Sequence, residues 1–471
     1  MTNAETRLDR APWRPLHTRI LLALGIGWAL DSFEVQIIGS VLTPLGRDFG
    51  LLGPDGAITP GAVSLIWVVW FAGLMTGATA FGWLADRYGR KRLFVATLVM
   101  YSIATVVSAF SPTFLVFLLF RFITATGVGG EYSAVTSAIA EFMPTRRRGA
   151  ATAATMNFWS VGGIVAGLVG IFFLNSVVAD QLALGGISLA AWRLCLLAGA
   201  AAAVYALIAR RAIPESPRWL ASQGRRREAN VIITQISGIA DDHTDLIGAP
   251  HRRSLRAQIA ELWRNWRPRL LYAMVLEFSG SAAYYGLFTF LAAYVLIPKQ
   301  VNVSSAAVPL FYLIGNLGAL AGGFAVAALI DRIGRTAVTR LSYGTASISV
   351  LLLALAAVAK SPTATLVAFT LCVFSATCAW ISAYTTFSEL FPTELRATGI
   401  GVSVAAGRFG GMIGVVGLSY TVAGLGLVSA FVILAVFFII GAIAALRWGR
   451  RGGVEARGMS LDAVAPPPAA A

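Results

Sequence analysis

Twelve stretches of about 20 predominantly apolar residues run through this chain, and a run of that length can cross the hydrocarbon core of a bilayer as a helix. The first six cover 20–42, 62–83, 93–110, 114–134, 150–174 and 187–209. The second six cover 270–296, 306–329, 341–359, 362–384, 398–423 and 425–446. Lipid offers no partner for a backbone N–H or C=O, so each run has to satisfy its own polar groups as a helix. The expected fold is therefore an all-α membrane protein of twelve transmembrane helices. Composition agrees: 57% of the residues are hydrophobic and 13% charged, too few charges to wet the surface of a soluble chain of 471 residues.

The polar segments divide the chain. Residues 1–19 form a basic amino-terminal segment, 20–209 and 270–446 two six-helix bundles, 210–269 a hydrophilic linker, and 447–471 a tail that ends in a Pro/Ala run. No small-residue cleavage site follows the first apolar run, so no removable leader is expected. Within the linker, 253–266 reads as an amphipathic helix at the membrane surface. A formal charge of +15 would suit a nucleic-acid partner, but the basic residues fall in alternate gaps between spans. Arg87, Arg90, Lys91, Arg92, Arg146, Arg147, Arg148, Arg332, Arg335, Arg340, Arg396, Arg447, Arg450 and Arg451 share one side; the opposite gaps hold little beyond Arg47, Arg193, Lys299 and Lys360. That asymmetry is the positive-inside signature. It places both termini and the linker in the cytoplasm of a cell inner membrane, and it explains the charge without nucleic acid.

The two bundles are copies. Gly82-Trp-Leu-Ala-Asp86-Arg87-Tyr-Gly89-Arg90 follows the second span, and Asp331-Arg332-Ile-Gly334-Arg335 follows the eighth. Glu141-Phe-Met-Pro144-Thr-Arg-Arg-Arg148 follows the fourth, and Glu389-Leu-Phe-Pro392-Thr-Glu-Leu-Arg396 the tenth. A duplicated unit of this kind places its substrate near the midplane, between the halves.

The segment 82–92 resembles the loop signature of the major facilitator superfamily, G-x-L-x-D-R-x-G-R-[KR]-[KR]. Arg121-Phe-Ile-Thr-Ala-Thr-Gly127-Val-Gly129-Gly130-Glu131 is similar to a fourth-helix pattern of its sugar-porter and metabolite:proton symporter branches. Pro214-Glu215-Ser216-Pro217-Arg218-Trp219-Leu220 resembles an element shared by sugar porters and organic-ion transporters. Asp31-Ser-Phe-Glu34 is similar to the D-G-[FY]-[DE] element of aromatic-acid and related symporters. The glutamine-rich seventh helix of sugar porters is replaced here by Glu277-Phe-Ser279-Gly280, and their P-E-T-K-G tail is missing after the twelfth span, which argues against a hexose. The resemblance implies a transporter that works by alternating access, usually as a monomer.

Charges inside a bilayer cost roughly 2.5–3.5 kcal/mol each on insertion scales, so those that persist face water or pair. Asp31 and Glu34 share one face of the first span, where mutual repulsion and burial favour holding a proton. With Glu131 they are the proton-coupling candidates. Arg121 and Arg408 suit a substrate carboxylate, or a structural ion pair. Glu277, Tyr284, Tyr285, Trp380 and Asn157 complete the substrate candidates; their alternative roles are helix packing and interhelical hydrogen bonds, which also apply to Asn316. Gly82, Asp86, Arg87, Gly89 and Arg90, with Asp331, Arg332, Gly334 and Arg335, read as conformational machinery, Asp86 at the positive start of the third helix. Glu141 with Arg148, and Glu389 with Arg396, are expected as exposed, weak salt bridges.

No dinucleotide fingerprint, P-loop or metal-ligand spacing is present, so neither an enzyme, a cofactor nor a metal is expected. Cys195, Cys372 and Cys378 lie in apolar runs as small packing residues. The expected function is proton-coupled symport of a small organic acid or related polar metabolite, its partners being that substrate, protons and lipid. Sugar or polyol symport and organic-cation or drug efflux are the alternatives.

Overall fold

The computed structural model describes residues 11–53, 58–174, 182–184, 187–211, 213–238, 254–291, 295–296, 300–303 and 308–465. The first bundle comprises α1 (Pro15–Asp48), α2 (Pro60–Tyr88), α3 (Arg90–Ala109), α4 (Phe114–Phe142), α5 (Arg148–Leu174) and α6 (Ala191–Arg211). The linker holds α7 (Pro217–Ser222), α8 (Arg226–Ser237) and α9 (Leu255–Asn265). The second bundle comprises α10 (Arg267–Phe290), α11 (Val308–Ile333), α12 (Arg335–Val358), α13 (Pro362–Phe387), α14 (Arg396–Leu425) and α15 (Leu427–Arg450), followed by a short α16 (Leu461–Val464). Ten of these helices are long and apolar enough to cross a membrane. The other two, α6 and α10, have 21 and 24 residues, enough for the about 30 Å hydrocarbon layer, and fill the remaining places in the duplicated pattern. The fold is thus the expected twelve-helix one.

Local chemistry sets the helix starts. Thr113 and Ser361 accept hydrogen bonds from Val116 N and Ala364 N, and Pro60 and Pro362 occupy first-turn positions where no amide partner is missed. One boundary departs from expectation: residues 187–189 pair as β2 (Ile187–Leu189) with β1 (Leu182–Leu184) in an antiparallel hairpin, and α6 begins only at Ala191. The apolar β-branched start of that segment was indistinguishable from helix by hydropathy alone. The amphipathic linker helix appears as α9.

Large apolar side chains point outward from both bundles, among them Ile103, Leu119, Phe172, Phe324, Leu355 and Ile440, as lipid solvation allows. The interior is close-packed and aromatic. Two seams join the halves, α2 against α14 and α5 against α11. Small residues make them tight: a Cβ at Gly401 would strike the Ala78 carbonyl beside Gly82, and one at Gly323 would strike the Asn157 amide.

Candidate substrate site and closing network

At the centre of the molecule the two halves meet through rings. Trp28 of α1, Tyr132 of α4 and Trp159 of α5 face Trp380 and Tyr384 of α13. Trp28 and Trp380 lie 6.0 Å apart at 27°, Trp159 and Trp380 5.3 Å apart, and Trp380 and Tyr384 5.0 Å apart. Tyr284 of α10 stacks on Trp380 at 6.1 Å, and Tyr285 meets Phe71 of α2 edge-on at 5.1 Å. Trp380 and Tyr384, four residues apart, present one helical face to the site.

Arg408 of α14 is the cation of this cluster. Its Nη1 donates to Tyr285 Oη at 3.2 Å and Ser281 Oγ at 3.3 Å, and its Nη2 to Tyr384 Oη at 3.0 Å. Its guanidinium carbon lies 4.3 Å from the Tyr132 ring centroid. It is fully buried, and among the described residues no carboxylate lies within ion-pair distance. Glu277 sits one turn before Ser281 on the same face of α10, in contact with Ser281 Oγ at 3.5 Å. A buried arginine held by neutral phenols, with an Nε that has no partner among the described residues, is chemically ready for an anion.

Arg121 behaves differently. Its Nη1 bonds Glu34 Oε2 at 3.1 Å, its Nη2 bonds the Glu34 carbonyl at 3.2 Å, and it lies 4.1 Å above the Trp70 ring. Of its two sequence readings, pairing with a first-helix acid is the one the geometry realises. Asp31 is fully buried and shares a face of α1 with Trp28 and Glu34, so it lies between the aromatic cluster and that ion pair. Glu131 is also buried but turns toward α3, where Thr97 Oγ1 donates to it at 3.4 Å. Asn157 donates to the Leu320 carbonyl and Asn316 to Gln36, so both amides tie the halves together.

The end of the molecule that carries the linker is closed by a charge network with twofold internal symmetry. Asp86, at the end of α2, accepts from Thr398 N at 3.0 Å and Thr398 Oγ1 at 2.8 Å, in the first turn of α14. Asp331, at the end of α11, accepts from Ala150 N at 2.8 Å in the first turn of α5. Each aspartate thus sits at the positive end of a helix in the opposite half, with Arg90 and Arg335 beside them at 3.1 Å and 2.8 Å. Asp86 pairs with Arg90 at the start of the third helix and in addition caps the helix of the opposite half. Gly89 and Gly334 permit the sharp joints α2–α3 and α11–α12, with φ of +98° and +94°. Arg87 and Arg332 remain exposed, outside the network.

The glutamate–arginine pairs are also corrected. Arg148 Nε bonds Glu389 at 2.7 Å and Arg396 Nη1 bonds Glu141 at 3.2 Å, so each arginine reaches the acid of the other half. All four are buried rather than exposed. The exchange follows from the duplication: a pseudo-twofold axis brings equivalent loops face to face, and equivalent residues swap partners. Glu389 also holds Arg335 at 3.0 Å and Glu141 holds Arg90 at 3.0 Å. Burial pushes the Glu389 carboxyl up, but Arg148 and Arg335 together more than offset that and leave it below the ordinary carboxylate range.

Several residues of the cluster and the network were given no role by the sequence. Trp28, Tyr132, Trp159 and Tyr384 carry no signal beyond being aromatic in apolar runs. Glu215 accepts from Arg90 N and Lys91 N at the start of α3, and Glu455 does the same for Arg335 N and Thr336 N at the start of α12. The tail therefore does hold a counterpart of the Glu215 element, at Val454-Glu455-Ala456-Arg457-Gly458, where none was expected.

The family model described as "Sugar (and other) transporter" matches residues 20–447. The niacin transporter of Acinetobacter baylyi is 30% identical over 411 residues, covering 86% of this chain and 88% of that one. A putative niacin/nicotinamide transporter of Bacillus subtilis is 29% identical over 414 residues, covering 85% and 88%. Among solved structures, the proton:xylose symporter of E. coli bound to 6-bromo-6-deoxy-D-glucose superposes with a TM-score of 0.75 at 19% identity, covering 95% of this chain and 98% of that one, which shows the shared fold. With its duplicated loops, its six-plus-six helices and a match over nearly its whole length, this chain belongs to the sugar (and other) transporter family of the major facilitator superfamily, and it is a membrane transporter rather than an enzyme.

Proposed function

We propose that the protein is a proton-coupled symporter of a small aromatic monocarboxylate, with pyridine-3-carboxylate (niacin) the first candidate. The observation that carries this reading is Arg408: a buried, permanently charged group held by three hydroxyls and walled by rings, with no carboxylate within ion-pair distance among the described residues. A buried cation whose neighbouring acid, Glu277, is not in ion-pair contact still carries a desolvation cost, which an incoming carboxylate can offset. Aromatic rings packed against one another at 5–6 Å line this region, and such a surface stacks a planar ring better than a puckered, hydroxyl-rich sugar. The names of the relatives, a transporter of niacin and a putative transporter of niacin or nicotinamide, point to a pyridine ring as well.

In this reading Asp31 carries the coupling proton, with the Glu34–Arg121 pair as its neighbour. Protonation of Asp31 neutralises the cluster's acidic side, the substrate carboxylate engages Arg408, and the halves rock about the site while the charge network opens and closes. The protein sits in a cell inner membrane with its termini and linker in the cytoplasm, and works as a monomer.

Thermal stabilisation of the purified transporter tests the anion claim. Pyridine-3-carboxylate should raise the unfolding midpoint, the neutral amide nicotinamide should not, and Arg408→Gln should abolish the shift. Equal stabilisation by acid and amide would sink the assignment of Arg408 as the carboxylate site.

A further inference from the structure

The central cluster contains a second polar atom that the reading above leaves unused. Trp28 is fully buried, and its indole Nε1 has no hydrogen-bond partner among the described residues. A buried N–H left without an acceptor is costly and uncommon, so its presence at a ligand site calls for an explanation. Trp28 is not at the edge of the cluster. Its ring packs against Tyr132 at 4.7 Å, Trp159 and Trp380 at 6.0 Å, and Tyr384 at 6.1 Å.

Two of those neighbours are also neighbours of Arg408. The guanidinium carbon lies 4.3 Å from the Tyr132 centroid, and Tyr384 Oη accepts from Arg408 at 3.0 Å. The indole and the guanidinium therefore flank the same two tyrosines. Because both lie so close to the Tyr132 ring, they are no more than about 9 Å apart. One small aromatic acid lying across these rings can touch both groups, with hydrogen bonds of about 3 Å at its two ends. An aromatic acid seated on Arg408 would then present its far ring edge to Trp28.

We propose that Trp28 is a specificity-determining residue of this site: its Nε1–H donates to an acceptor atom in the substrate's ring, so the transporter selects a nitrogen-containing aromatic acid over the carbocyclic analogue. The inference rests on the preceding reading of Arg408 as the carboxylate site and deepens it. Arg408 recognises the acid group, which benzoate and pyridine-3-carboxylate share; Trp28 recognises the ring atom by which they differ. The competing role for this N–H is a weak contact with the face of Tyr132, whose plane is inclined at 72° to the indole. Such a contact would not distinguish the two acids.

The experiment compares uptake of radiolabelled pyridine-3-carboxylate and benzoate into proteoliposomes for the parent and for Trp28→Phe, which keeps an aromatic ring and removes the donor. The parent should prefer the pyridine acid about tenfold in kcat/KM, the cost of an unmatched buried donor. In Trp28→Phe that preference should collapse toward unity through loss of pyridine-acid uptake, with benzoate uptake retained. A preference that survives in Trp28→Phe overturns the proposal and leaves the Arg408 reading intact. A parent that carries neither acid overturns both. Should Trp28→Phe fail to fold, the parent supplies a second test: unlabelled benzoate must compete at least tenfold more weakly than pyridine-3-carboxylate, and equal competition refutes the role of Trp28.

Discussion

Neutralising Glu389 should open the linker-side end of the transporter. Three hydrogen bonds from arginine reach this carboxylate, but only the one from Arg148, at 2.7 Å, crosses between the halves; Arg335 belongs to the same half and can keep its two bonds when the halves part. The difference between closed and open states is therefore one charge-assisted hydrogen bond, about 2 kcal/mol. In Glu389→Gln the ratio of open to closed forms should rise about 30-fold. Ala85 is a suitable reporter, being fully buried beside Ala397 of the other half. The A85C thiol should react with a bulky hydrophilic maleimide at a rate proportional to the open population, against a parent whose three cysteines are all buried. The lowered pKa of Glu389 adds a pH signature. A depressed folded-state value means the clamp is intact above the ordinary carboxylate range and is lost as pH falls through the depressed value. Labelling of A85C, normalised to a free thiol at the same pH, should stay flat as Glu389 remains ionised and rise only under clearly acidic conditions, and in Glu389→Gln that rise should shrink. An unchanged labelling rate in Glu389→Gln would refute the claim that this pair holds the end closed.

Other outcomes follow from the same geometry. Arg408→Lys keeps the charge but cannot reach Ser281, Tyr285 and Tyr384 together, so KM for the aromatic acid should rise at least about tenfold in uptake assays. Gly401→Leu should abolish transport while leaving a folded, monodisperse protein by size-exclusion chromatography, because the side chain would collide with the Ala78 carbonyl in the closed state. Glu215→Gln and Glu455→Gln should each lower thermal stability by about 1 kcal/mol, and by similar amounts, since each carboxylate accepts from two first-turn amides of an equivalent helix.

The twelve helices were legible because lipid demands long apolar runs, and the duplication because loop residues such as Asp86 and Asp331 recur in the same setting. Arg408, Tyr285 and Trp380 could be selected as rare or bulky polar-capable residues inside spans, and the structure brings them into one cluster. What could not be read was partnership. Arg121 and Arg408 looked alike in sequence; only packing shows that one meets Glu34 while the other meets phenols. The exchange of Glu141 and Glu389 between arginines depends on a symmetry axis that no local pattern encodes. Trp28 and Tyr132 were hidden because an aromatic residue in an apolar run looks the same whether it faces lipid, a neighbour or a substrate. Glu455 was hidden because its segment shares few residue types with the Glu215 element and only the fold shows that both carboxylates cap an equivalent helix.

Proton coupling through Asp31 is tested most directly by uptake of radiolabelled pyridine-3-carboxylate into proteoliposomes with and without an inward proton gradient, in the parent and in Asp31→Asn. Accumulation against the substrate gradient is expected only when protons can flow inward, and is lost in Asp31→Asn with substrate exchange preserved. Uptake that ignores the proton gradient, or that Asp31→Asn leaves fully driven, would contradict that coupling.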